Sequence, residues 1–425
     1  METGRPPAIT PAESPAGFTP VRFLPRASAA IASGRNWADT LDTVLGHIDV
    51  AQPDLTFVFV SPHFVEYLPD LLQAAWERSG STLLAGSTTV APIAERIEAE
   101  HQPAIAMLAM SLPGATLRPA RFTQALIDDP STPEEFRERL GIETSDVNGW
   151  FLLTSSHRCD PLATVNRLAT GYPGVPIVGG VAAPSLQINR SWVFLNGSVY
   201  GDGAAGIAIG GNYDILPVLA QGCEPIGETW TITGVRDQWI ESISNRPALT
   251  LLAETLDLLP ADMQEEAEGN LVAGFAANEY QDRFARGDFL IRAITAVDWE
   301  KGAFAVAGNP RVGQTIQLHL RDAATASLDL TLSLMEANNL LGRRTPVAAL
   351  LHSSFARGSQ FFGTPDHDAA ELDRRFPGLP HAGMVGHSEI GPVSGKTGVH
   401  GYSTSIGIIT RRPPAGATTE ETPAP

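Results

Sequence analysis

Leu55-Thr-Phe-Val-Phe-Val-Ser-Pro-His63 decides the reading of this chain, because the pattern returns twice. Gly149-Trp-Phe-Leu-Leu-Thr-Ser-Ser-His157 is the second copy and Val347-Ala-Ala-Leu-Leu-His-Ser-Ser354 the third. Each run reads as a strand, and each leads into a helical stretch: 65–79, with Leu68, Leu71, Leu72, Ala75 and Trp76 on one face, then 161–169 and 366–376. A short apolar piece ending in glycine follows in every copy, at 82–86, 175–180 and 379–383. A last strand closes each, at 104–112, 204–210 and 402–410. The spacing agrees: Val60 to Gly86 is 26 residues, Thr154 to Gly179 is 25 and His352 to Gly383 is 31. Strand, helix, strand in this order fits a parallel pair with a right-handed crossover, and the returning strand adds antiparallel pairing.

Between the second and third copies, residues 216–321 follow a different pattern. Thr229-Trp-Thr-Ile-Thr233, Asp288-Phe-Leu-Ile-Arg292, Phe304-Ala-Val-Ala307 and Thr315-Ile-Gln-Leu-His-Leu320 read as strands. Helices are expected at 246–259 and 322–341. Gly-Gly-Asn-Tyr-Asp near 210–216 reads as a boundary. The fold class is therefore α/β: two α/β domains, 18–215 and 216–411, built of repeated strand-helix-strand-strand units with mixed sheets. The ends, 1–17 and 412–425, are rich in Pro, Ala and Thr and read as disordered tails.

The chain has 425 residues, enough to bury cores without covalent staples. A net charge of −18 disfavours nucleic acid and anionic lipid as partners. Its two cysteines, Cys159 and Cys223, form no Cys-x-x-Cys and cannot build a disulfide framework or a cysteine-rich zinc site. No apolar run approaches the ~20 residues of a membrane span, and 1–17 has no apolar signal core. A cytoplasmic protein with no membrane association is the expectation.

Few motifs carry chemistry. Gly386-His-Ser-Glu-Ile390 begins like a nucleophile elbow but has isoleucine where the second glycine belongs. Gly201-Asp-Gly-Ala-Ala-Gly206 matches Gly-x-Gly-x-x-Gly, yet a strand follows it, so no helix N-terminus is available for a pyrophosphate. His381, His387, Glu389 and His400 are too loosely spaced for a metal centre. His63, His157 and His352 sit at or just beyond strand ends, where ligands often bind in open α/β sheets. Residues 350–410 are the richest segment, with Ala356-Arg-Gly358, Phe361-Phe-Gly-Thr-Pro365 and Gly386-His-Ser-Glu-Ile-Gly-Pro392. Arg357 suits a carboxylate and Glu389 an ammonium group, so facing each other they would take an amino-acid-like zwitterion; alternatively they pair and hold two loops together. Charges within Gly287–Arg292 and Leu318–Asp322 are expected to be paired, because unpaired burial is costly.

These strings resemble the FIST family, named for F-box and intracellular signal transduction proteins. Leu84-Ala-Gly86, Val178-Gly-Gly180 and Asp202-Gly-Ala-Ala-Gly206 are similar to its first domain. Ala220-Gln-Gly-Cys-Glu-Pro-Ile-Gly227, Gly287-Asp-Phe-Leu-Ile-Arg292, Leu320-Arg-Asp322, Arg357-Gly358 and Ser388-Glu-Ile-Gly-Pro-Val393 are similar to its second. The resemblance implies a stand-alone bacterial-type sensory module without an F-box, binding a small ligand and signalling through a protein partner. Departures lie at Ser354, where the family typically has cysteine, at Gly383-Met384-Val385, where it has Gly-Phe-Phe, and at Ser388, where it has glycine.

The expectation is thus a non-enzymatic sensor with no cofactor and no metal. Its ligand-binding residues would be Arg357, Gly358, Ser354, His387, Ser388, Glu389, His400, Arg292 and Arg321. The alternatives are an interaction scaffold without ligand, and a hydrolase or lyase using His387, Ser388 and Glu389; the last is weak, because neighbours on an extended chain point to opposite faces.

Overall fold

The computed structural model describes residues 24–184, 189–267, 269–281, 283–284 and 287–413. Of the tails read above at 1–17 and 412–425, residues 1–17 and 414–425 lie outside the described residues, while Arg412 is described and its Nε donates to Asp214 Oδ2 at 2.7 Å.

All three copies form as the sequence implies, and each is longer than its motif. The first runs strand Arg26–Ser33, helix Trp37–His47, strand Leu55–Val60, helix Leu68–Ser79, strand Leu83–Thr88, a hairpin at 91–98 and strand Ala104–Ser111. The second runs strand Ala115–Phe122, two short helices, strand Gly149–Thr154, helix Pro161–Gly171, strand Ile177–Val181, a hairpin at 193–200 and strand Ala204–Gly211. The third opens with strand Tyr213–Ala220 and resumes, after an insertion, with helix Ala323–Leu341 and strand Thr345–Ser354. Helix His367–Arg375, strand His381–Gly386, a hairpin at 388–400 and strand Thr404–Arg411 complete it. Side-chain caps set several helix starts: Asn36 accepts from Ala38 N at 2.9 Å, Asp160 from Ala163 N at 3.0 Å, and Asp322 from Thr325 N at 2.5 Å.

Each copy builds a six-stranded mixed sheet of the same order. The opening strand pairs antiparallel with the closing strand, which pairs antiparallel with the first member of the parallel pair. Leu55–Val60 with Leu83–Thr88, Gly149–Thr154 with Ile177–Val181, and Thr345–Ser354 with His381–Gly386 are the parallel pairs. In them Val58 faces Gly86, Leu152 faces Gly179 and Leu351 faces Gly383. A Cβ on any of these glycines would overlap the facing residue's carbonyl oxygen, which explains the recurrent apolar–glycine ending.

The outer two strands of each sheet come from another copy. The hairpin at 91–98 adds to the third sheet, that at 193–200 to the first, and that at 388–400 to the second. The exchange is cyclic. One shared core lies between the sheets, with Phe57, Leu108, Phe151, Ile207, Leu350, Met384 and Ile409. Phe57 and Phe151 meet edge to face at 5.5 Å. Helices cover the outer faces, so most strands are buried on both sides and read as unbroken apolar runs.

The insertion is all-antiparallel apart from its helices. Strands Cys223–Arg236, Trp239–Ile243, Leu271–Ala276, Phe289–Asp298, Ala303–Val306 and Thr315–Arg321 pair in a ring, closed where Ile232–Arg236 meets Trp239–Ile243. Helix Ala248–Asp257 packs Leu249, Leu251 and Leu252 into its core. The boundary expected at 215/216 falls inside strand Tyr213–Ala220, which belongs to the third sheet. Among the described residues no helix is long and apolar enough to cross a membrane.

Candidate functional site

The site lies where strand Thr345–Ser354 ends, beside the start of strand Thr404–Arg411. Ser354 caps a single helical turn, 355–357, that turns Arg357 inward. Arg357 is 1% exposed. Its Nε donates to Asp368 Oδ2 at 2.8 Å and its Nη2 to Asp368 Oδ1 at 2.9 Å. Asp368 also accepts from Ser353 Oγ at 2.7 Å and Thr404 Oγ1 at 2.6 Å. Burial alone would raise the Asp368 carboxyl, but the Arg357 charge and these donors outweigh it and hold it well below the usual carboxylate range. The same partner raises Arg357 against a burial effect that would lower it.

Glu389 stands on the other side. Strand Ser388–Val393 pairs with Ile177–Val181, placing Glu389 opposite Gly180, and with the hairpin's second strand, placing it opposite His400. Its Oε2 accepts from Ser403 N at 3.2 Å and Ser403 Oγ at 2.7 Å. Burial raises Glu389 to about 8, against the Ser403 donors and the Arg357 charge. Arg357 and Glu389 therefore feel each other's charge without forming the direct pair that was one of the two expectations. Asp368 takes that place. Among the described residues three buried atoms here keep no hydrogen-bond partner: Arg357 Nη1, Glu389 Oε1 and His400 Nδ1.

Arg321 frames the site from the insertion. Its guanidinium lies 4.3 Å from the Tyr402 ring centre and 4.9 Å from that of Phe361, and Nη2 donates to Ala356 O at 2.8 Å. Tyr402 holds a left-handed backbone, φ 62°. The expected pairing of buried charges is corrected here. Among the described residues Arg321 has aromatic faces and a carbonyl instead of a carboxylate, and burial lowers it. Arg292 likewise has no ion pair among the described residues; it donates to Ile291 O at 2.9 Å and is lowered by burial.

The remaining expected residues divide. Gly358 approaches the Glu100 carboxylate, which accepts from Ser359 N at 2.9 Å and Ser359 Oγ at 2.8 Å. His400 is buried, donates Nε2–H to Gly391 O at 2.8 Å, and is pushed down to about 4 by burial. His387 and Ser388 point away: His387 is exposed, sits 3.0 Å from Ser388 Oγ and packs on Phe355. Ser388 and Glu389 thus face opposite sides of their strand. His63 is exposed, His157 half-buried, and His352 lies inside the core beside Phe59. The register makes Ser61, Ser155 and Ser354 the equivalent positions, each donating its N–H to the residue before or at the start of the closing strand (Ala104 O, Gly203 O, Ser403 O). Among the described residues no cluster of three or more His, Cys, Asp or Glu is placed to hold a metal ion. A surface groove of about 250 Å³, lined by Ile127, Asp128, Ala163, Asn166, Arg167 and Thr170, shares no residue with this site.

A family model for the FIST N domain matches residues 54–246, and one for the FIST C domain matches 248–392. The chain belongs to the FIST family. An uncharacterized protein of Mycobacterium tuberculosis is 30% identical over 357 residues, spanning 84% of this chain and 91% of its own. An uncharacterized protein of Mycobacterium bovis is 29% identical over 358 residues, spanning 84% and 90%. A cyanuric acid hydrolase from A. caulinodans aligns in structure over 92% of this chain and 99% of its own, at 10% identity and a TM-score of 0.32, too low to carry an argument. FIST domains are associated with sensory signal transduction and small-ligand binding.

Several residues that build this candidate site carried no signal in the sequence. Asp368 looked like an ordinary acidic first-turn residue of a helix, and Ser403 and Thr404 like the start of a strand. Glu98 and Glu100 reach the site only because the first hairpin crosses to the third sheet: Glu98 Oε1 accepts from Ala369 N at 2.9 Å. Phe361-Phe362 was the one legible signal, since two aromatics beside Arg-Gly are placed to stack on guanidinium groups.

Proposed function

We propose that this FIST protein is an intracellular sensor whose ligand is an amino-acid-like zwitterion, and that it signals through a protein partner. The supporting observation is a buried guanidinium and a buried carboxyl group that influence each other while Arg357 Nη1 and Glu389 Oε1 remain without a partner among the described residues. An unsatisfied buried polar atom is costly unless a ligand or water completes it. The ligand carboxylate would take Arg357 Nη1, with Arg321 adding positive charge, and its ammonium would take Glu389 Oε1. Binding rather than turnover is the role proposed for this site, in the cytoplasm.

Titration calorimetry against a panel of amino acids tests this. One amino acid or a few of the panel should give heat with wild type and none with Glu389→Gln, which keeps shape and removes the ionisable carboxyl. A silent panel, or equal binding in Glu389→Gln, overturns it. The burial of both groups, 1% and 0% exposed, favours a second reading: a scaffold whose polar centre is purely structural. A silent panel with a cooperative melt favours that reading.

A further inference from the structure

Ser327, His367 and Asp368 form a hydrogen-bonded relay that shares only Asp368 with the proposed ligand site. His367 Nε2 lies 3.0 Å from Ser327 Oγ, and His367 Nδ1 lies 2.9 Å from Asp368 Oδ1. Serine on one ring nitrogen and carboxylate on the other is the connectivity of a serine nucleophile, its base and the acid that orients the base; such sets are recognised by geometry, not by chain order. Every part is held from behind. Asp368 is fully buried and fixed by Ser353, Thr404 and Arg357. The Phe362 ring stacks on His367 at 3.5 Å with 8° between planes, so the imidazole cannot turn. Ser327 comes from helix Ala323–Leu341 and is half-buried, and the His367 side chain is 16% exposed, so the serine–histidine end of the relay lies toward the surface while Asp368 lies inside. None of the three belongs to a motif singled out in the sequence. The Gly386–Ile390 string, which resembled an elbow, instead forms a strand end and the start of a hairpin.

We propose that Ser327 is a competent nucleophile toward activated acyl groups, esters or thioesters, with His367 as general base and Asp368 as the positioning residue. Ser327 Oγ bonds to the acyl carbon as its proton passes to His367 Nε2. The carbon–oxygen or carbon–sulfur bond of the leaving group breaks, and the departing alcohol or thiol takes that proton, leaving an acyl-serine. Water then attacks with His367 again as base, and the carboxylic acid leaves as Ser327 recovers its proton. Behind the imidazole, Asp368 pairs with Arg357 and feels Glu98 at the same helix start, and Arg357 also feels Asp329 on the serine's helix. Arg357 draws on the carboxylate that orients His367, so slow reaction with activated electrophiles, rather than fast turnover, is the expected behaviour.

The test is exposure of the native full chain to a fluorophosphonate probe, with the modified residue mapped by mass spectrometry. Wild type should be labelled at Ser327, Ser327→Ala should lose that label, and His367→Gln should label at least ~100-fold more slowly. Labelling should also need the native fold: wild type unfolded in urea before the probe is added should not be labelled at Ser327. A native wild type unlabelled at Ser327, or labelled as fast in His367→Gln, overturns the proposal. If His367→Gln does not melt cooperatively, the wild-type comparison decides, and equal labelling of native and unfolded wild type at Ser327 overturns the proposal. None of these readouts depends on the ligand proposed for Arg357 and Glu389.

Discussion

Arg357 and Asp368 close a two-bond ion pair at 2.8 and 2.9 Å, with 1% and 0% of their side chains exposed. Opening such a pair leaves one buried charge uncompensated. Arg357→Ala should therefore cost about 3–5 kcal/mol in urea unfolding, and so should Asp368→Ala. The double variant should cost less than their sum by more than about 1 kcal/mol. An Arg357→Ala protein as stable as wild type would show that the pair is not formed in solution. It also follows that lost ligand binding in Arg357→Ala does not by itself locate the ligand.

Glu389 makes stability depend on pH in the direction opposite to most carboxylates. Its folded value, about 8, lies above its ordinary 4.5, so between these pH values the folded state holds a proton that the unfolded state has released. Stability from this group is full below 4.5 and declines as pH rises toward 8. Glu98, also raised to about 8 mainly by burial, acts in the same sense. Wild type compared with Glu389→Gln by chemical unfolding at pH 5, 6, 7 and 8 should fall progressively behind. A difference independent of pH would mean Glu389 is ionised throughout.

Gly86, Gly179 and Gly383 occupy one position in three copies, each pressed against a neighbouring strand's carbonyl. Alanine at any of them has to push the parallel pair apart. Each substitution should cost about 3 kcal/mol or more, or prevent soluble expression. Gly80→Ala is the control in a helix-ending turn: nothing lies within 4 Å of its added Cβ, and its φ of 63° limits the effect to local strain of about 1 kcal/mol. Equal melting temperatures for Gly383→Ala and Gly80→Ala would contradict the register.

Glu100 ties the first copy to the loop that carries Arg357 through Ser359 N and Oγ. Glu100→Ala should destabilise by about 1 kcal/mol. It should also speed amide exchange across 358–363 while leaving strand Leu55–Val60 protected. Uniformly faster exchange, or none, would deny that the contact is local.

The repeats were legible because their cause is local: an apolar strand, a helix of period 3.6, and a glycine forced by the adjacent backbone. The opening strands were not, since Ala115–Phe122 and Tyr213–Ala220 mix charged residues, proline and apolar residues without clean alternation. Within the insertion, Trp239–Ile243 and Leu271–Ala276 escaped because their places in the ring depend on distant partners. At the site, Arg357 and Glu389 stood out as charges among glycines. Asp368 did not, because a carboxylate in a first helical turn needs no other explanation. Glu98 could not be placed there at all. Its neighbours lie 268 and 271 residues away, at Asp366 and Ala369.

The exchanged hairpins also fix an order of events during synthesis. The hairpin at 91–98 leaves the ribosome about 290 residues before His381–Gly386, the strand it pairs with. The first sheet waits about 100 residues for 193–200, and the second waits about 200 for 388–400. No copy can finish its own sheet from its own sequence. The nascent chain therefore carries open strand edges until its last sixth is made, and a chain severed between copies leaves two sheets incomplete, each lacking strands held by the other fragment.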